Sequence, residues 1–112
     1  MLALFGNLFE AAPEDMREEH VACLVEARHV KIERIVSLGH ASPPGFWYDQ
    51  PWAEWVVVLA GAAGLSFEGE AEVRVLSPGD YLLIPAHTKH RVEWTSKDPA
   101  TIWLAVHYPE SE

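Results

Sequence analysis

The sequence predicts an all-β fold, a closed sandwich or barrel of short strands, and three observations point to it. Runs rich in Val, Ile, Leu and aromatic residues recur at roughly the 8–12-residue spacing of such folds. Clusters of Gly, Pro, Asp and Ser separate them, at 42–45, 77–80 and 96–100. Between these runs lies no long segment of helical period that could cross over a parallel sheet.

Taken in order, helix signals are confined to the start, where 7–10 and 13–19 could each make one short turn, Pro13 suiting a first helical position. Residues 20–26 and 31–38 are rich in Val and Ile and partly alternating, with Arg28 and His29 at the turn between two strands. The 42–45 stretch, SPPG, ends regular structure because Pro43 and Pro44 lack N–H donors. A β-branched strand over 54–60 stops at Gly61, a strand over 64–68 turns at Gly69, and 72–76 follows. SPGD at 77–80 has turn composition, 81–84 is a strand closed by Pro85, and 91–95 and 101–108 complete the set. All 112 residues are expected to form one domain, with an arm over about 1–18 and a barrel over about 19–108.

Composition excludes several partners. Eight Lys and Arg stand against 17 Asp and Glu, a formal net charge of −9, and the few cations never cluster, which opposes binding to nucleic acid. The apolar stretch 55–65 is shorter than the roughly 18 residues of a membrane helix. The apolar beginning lacks the basic start and cleavage site of a signal peptide, so a cytoplasmic location is expected. Cys23 is alone and has no intrachain partner for a disulfide.

Two blocks carry chemistry. In the first, Tyr48, Gln50 and Glu54 share a face if Pro51 leaves the register intact. Glu54 is the odd residue, a carboxylate directly before WVVVLA, costly to bury unless donors or a cation meet it. In the second block, His90 begins a strand whose same-face residues are Val92 and Trp94, which makes Trp94 the expected apolar pocket wall. His107 alternates with Trp103 and Ala105, and so either lines the mouth as a base or replacement ligand or is a satisfied interior histidine. His87 reads as a rim residue, Asp49 as a turn or ion-pair residue, and His40 as a loop residue within reach of the mouth. Trp47, Trp52 and Trp55 read as core or interface, or one or two of them as the apolar wall of a ligand pocket, and Lys31, Glu33 and Arg34 as a solvated strand face.

These blocks resemble the two motifs of the cupin superfamily, a double-stranded β-helix or jelly-roll barrel. Glu54, a six-residue gap and Gly61 match the end of the first motif; Gly79, a five-residue gap, Pro85 and His90 match the second. Tyr48 and Gln50 stand where the family has two histidines, His87 at a glycine position and Trp94 at an asparagine position. The chain is similar to small single-domain bacterial cupins whose blocks read WYDQ, EWV and IPAHxxHRVEWT.

The resemblance implies one divalent metal in the barrel. Here Gln50, Glu54 and His90, with Tyr48 as a further oxygen donor, would hold iron, manganese, nickel or zinc, the loss of two imidazoles favouring iron(II) or manganese. The same residues also suit a metal-free buried hydrogen-bond network. Three functions follow: a metal-dependent dioxygenase, lyase or isomerase acting on a small oxygenated metabolite; a non-catalytic small-molecule binder without metal; and a metal-free epimerase or isomerase using His90 and Tyr48 as its catalytic pair. Tyr48, Gln50, Trp94 and His107 are the expected ligand contacts. A homodimer is expected from the family and from the apolar arm, which would exchange through residues 2–8.

Overall fold

The computed structural model describes residues 3–110. Eight strands and no helix make up its regular structure: β1 (His20–Ala27), β2 (Val30–Ser37), β3 (Ala53–Ala60), β4 (Ala63–Phe67), β5 (Arg74–Leu76), β6 (Tyr81–Ile84), β7 (His90–Thr95) and β8 (Thr101–Tyr108). Every expected strand forms, with ends shifted by no more than two residues. All pairings are antiparallel, in a five-stranded sheet of order β1-β2-β8-β3-β6 and a three-stranded sheet of order β5-β4-β7. This is the double-stranded β-helix architecture.

The core joins the two sheets. Val56 and Val58 of β3, Ile84 of β6, and Trp103 and Ala105 of β8 meet Ala63 and Leu65 of β4 and Leu76 of β5. Alternation along each strand puts these side chains on the concave faces. Gly61 turns β3 into β4 at φ +76°, and a Cβ there would lie 2.5 Å from Ser96 Oγ and 2.6 Å from the Ala100 carbonyl oxygen. Both the left-handed backbone and the lack of room explain glycine at the end of the first motif.

The arm departs from expectation. Residues 7–10 close a β-turn, with Glu10 N–H donating to the Asn7 carbonyl at 3.2 Å and Phe9 N–H donating to Asn7 Oδ1 at 2.7 Å. Residues 13–19 form no helical turn. Segments this short cannot repay helix nucleation, and the Asn7 side chain captures a backbone donor that a helix would use. Arg34 is also a correction: it is 3% exposed, not solvated. Its Nε–H donates to the Leu8 carbonyl at 2.8 Å and its Nη2 to the Glu10 carbonyl, which pins the arm on the convex face of β2.

Candidate functional site

A cavity of about 260 Å³ opens between the sheets, and Tyr48, Gln50, Glu54, His90 and His107 all line it. Strand register explains the meeting. Glu54 of β3 lies directly opposite His107 of β8, and Glu33 of β2 lies opposite Ala105, one diagonal step from His107. Ala105, with no exposed surface, leaves room between the longer side chains. Tyr48, in the connection before β3, makes a two-bond backbone bridge with His90 at the start of β7. Pro51 has therefore not turned Tyr48 and Gln50 away from Glu54.

His90 is held on three sides. Its ring stacks on Tyr48 at 5.3 Å between centroids and on Phe67 at 5.9 Å. Its Nδ1–H donates to the Thr88 carbonyl at 2.8 Å, which leaves Nε2 as the acceptor, 3.9 Å from Glu54 Oε1. His107 is held with the opposite tautomer. The indole N–H of Trp52 can only donate, and it does so to His107 Nδ1 at 2.9 Å, so Nε2 carries the hydrogen and donates it to Glu33 Oε1 at 3.0 Å.

Burial raises the Glu54 carboxyl above the usual range; nearby His107 and His90 act against that rise, and Glu33 adds to it. Burial also raises Tyr48, reinforced by Glu19 and Glu54, so its phenol keeps its proton at neutral pH. Gln50 Oε1 is buried without a hydrogen-bond partner.

Trp94 does not line the cavity. A β-bulge in β7 pairs Gly64 with Trp94 and Leu65 with Val92, which leaves Glu93 as the extra residue. The register flips there, so Val92 faces the cavity while Trp94, 40% exposed, lies over Gly64 on the outer face. A Cβ on Gly64 would fall 2.2 Å from the Trp94 indole nitrogen, so the two residues fit as a pair. Trp103 supplies the indole wall instead.

Other expectations sort similarly. His40 stays outside the cavity: Leu38 N–H donates to its Nδ1 at 2.9 Å, and its Nε2 faces the Met16 and Arg17 carbonyls at 3.2 and 3.3 Å. His87 sits at the rim with Nδ1 2.9 Å from Asp49 Oδ1, and its φ of +57° suits the motif's glycine position. Trp47 and Trp52 are exposed rather than core. Glu33 was expected on a solvated face but lines the cavity, and Glu19 reaches it from the position just before β1.

The donor set bears on a metal. Among the described residues, no group of three or more His, Cys, Asp or Glu is arranged to hold an ion. Both His107 nitrogens are engaged, so His90 Nε2 is the one imidazole donor left, beside the oxygens of Glu54, Tyr48 and the unpartnered Gln50 Oε1. These fit a sparse site with one nitrogen donor.

Comparisons with known proteins agree with the fold. No curated protein matches the chain significantly. A candidate mannose-6-phosphate isomerase from Ralstonia eutropha JMP134 has a solved structure with 50% identity, TM-score 0.92, and coverage of 96% of this chain and 100% of its own. A cupin superfamily protein from Desulfitobacterium hafniense DCB-2 has 18% identity, TM-score 0.71, and coverage of 88% and 84%. An RmlC-like cupin from Desulfovibrio desulfuricans has 21% identity, TM-score 0.73, and coverage of 97% and 100%. The last two bear on the fold alone. The family model described as "Cupin domain" matches residues 36–107, and the chain belongs to the cupin superfamily.

Proposed function

We propose that the protein binds a compact oxygenated molecule in this cavity and catalyses an isomerase-type proton transfer on it. The carrying observation is His90, whose ring is fixed between Tyr48 and Phe67 with its acceptor nitrogen free on the cavity side. A base needs a lone pair, a fixed direction and a partner acid. His90 Nε2 takes the substrate proton and the Tyr48 hydroxyl donates to the substrate oxygen. The raised pKa of Tyr48 keeps it in the donor form. Gln50 accepts a substrate hydroxyl, and the His107–Glu33 pair holds the opposite wall.

A bound divalent ion would rest on His90, Glu54 and Gln50 and polarise a substrate oxygen, and it would occupy the His90 Nε2 lone pair, so His90 serves as the base only in the ion-free protein. With one imidazole in the set, weak retention of zinc and better tolerance of iron(II) or manganese are expected. The relative from Ralstonia eutropha supports the isomerase class at 50% identity.

The test is exchange of substrate carbon-bound hydrogen with deuterated water, followed by NMR over aldose and ketose pairs, with and without manganese(II). Exchange that falls about 100-fold or more in Tyr48→Phe and His90→Gln, with the fold intact, supports the reading. Binding without exchange for every pair would make the protein a non-catalytic carrier. We also infer a homodimer, because Leu4 and Phe5 of the arm are 95% and 100% exposed in the single chain.

A further inference from the structure

We propose that the cavity selects an uncharged polyhydroxy molecule, an unphosphorylated sugar or polyol, and discriminates against phosphorylated sugars; this inference rests on the reading of the cavity as the substrate site. Three carboxylates, Glu19, Glu33 and Glu54, line it, and among the described residues no Lys or Arg does. Three of the neighbouring cations are committed elsewhere. Lys31 pairs with Glu33 Oε2 at 3.4 Å from the rim, and Arg34 is turned to the convex face under the arm. The Arg91 guanidinium reaches the carbonyls of Ser42, Pro43 and Phe46 at 3.2–3.4 Å.

Beside the donating Tyr48 hydroxyl, the unused hydrogen-bonding capacity of the cavity's histidines and of Gln50 Oε1 is for accepting. Gln50 Oε1 is buried without a donor, His90 Nε2 is an acceptor, and the His107 N–H is already spent on Glu33. A sugar hydroxyl can donate to each of these acceptors. A phosphate brings oxygens where donors are wanted and negative charge beside carboxylates. At about 260 Å³ the space lies below the roughly 300–1,000 Å³ of ordinary ligand pockets and suits a molecule the size of one sugar ring. Arg28 and His29 lie beyond the mouth, in the β1–β2 turn, on an adjoining hollow that also carries Lys31, Glu26 and Glu33 and shares Gln50 and His107 with the cavity.

The experiment is calorimetric titration with matched pairs, D-mannose against D-mannose 6-phosphate and D-fructose against D-fructose 6-phosphate, each with EDTA and with manganese(II). D-glucosamine is the cationic arm. The expected result is that the free sugars bind and their phosphates bind at least about tenfold more weakly. Gln50→Ala should weaken the free sugars, and Glu19→Lys at the rim should improve the phosphates. Val21→Trp, a change at an exposed lining residue, should block the cavity without disturbing the core.

Tighter binding of the phosphates would overturn the proposal. If Val21→Trp abolished that tighter binding, the cavity would still be the substrate site; if Arg28→Ala abolished it while Val21→Trp did not, the site would lie in the outer hollow and both readings would fall. Binding of glucosamine alone would overturn the polyol assignment in favour of an amine ligand. Binding of none of the probes would overturn both readings.

Discussion

His107 donates its Nε2 hydrogen to Glu33 Oε1 across 3.0 Å, and the direction of that bond is set by Trp52, whose indole N–H occupies the other ring nitrogen. A side chain at the mouth thereby fixes the polarity of a group inside the cavity.

Trp52→Phe removes that donor and keeps an aromatic ring. Long-range ¹H–¹⁵N spectra of the imidazoles should then show His107 leaving the pure Nε2–H tautomer while His90 keeps its own. Sugar affinity should fall by a few-fold. An unchanged His107 spectrum would show that the indole does not set the tautomer.

Glu54→Gln should stabilise the fold, with a pH dependence whose sign follows from burial. A carboxyl with a raised folded pKa favours folding while protonated and loses that contribution as pH rises through the folded value. The variant carries no such charge, so its gain in Tm should be larger at about pH 8 than at about pH 5. A gain that shrinks with rising pH would mean the ionised carboxylate is stabilised where it stands.

Gly61→Ala should cost about 2 kcal/mol or more, since it combines a left-handed backbone with a Cβ 2.5 Å from Ser96 Oγ. Urea unfolding measures this. A loss below about 0.5 kcal/mol would show that the β3–β4 turn relaxes freely.

Phe5→Asp should shift a dimer toward monomer in sedimentation velocity, because Phe5 is fully exposed in the isolated chain. Arg34→Ala should do the same by releasing the arm from β2. A wild-type monomer would remove the inference of assembly. The expected exchange through residues 2–8 involves Leu2, which lies outside the described residues.

Much of this was legible in sequence because the signals were local. Strand punctuation by Gly and Pro, and the spacing of Glu54 to Gly61 and Gly79 to His90, placed both blocks. Glu33 was missed because strand alternation misleads in β2. Its more apolar parity, Ile32 and Val36, faces the convex side, where the arm covers it, while Glu33 and Ile35 turn into the cavity. Trp94 was misplaced for another reason: a bulge adds one residue and inverts every later side chain, and nothing in HRVEWT announces it. The small partner Gly64, three residues after Gly61, was the available hint that a bulky ring lies across β4.

The most direct test of the central claim follows the imidazoles of uniformly ¹⁵N-labelled protein while D-mannose or D-fructose is added. The account predicts that His90 and His107 shift with ligand while His20 and His29 stay in place, and that Gln50→Ala weakens the response. Shifts confined to His20 and His29, or none at His90 with any sugar that binds, would contradict the assignment of this cavity as the working site.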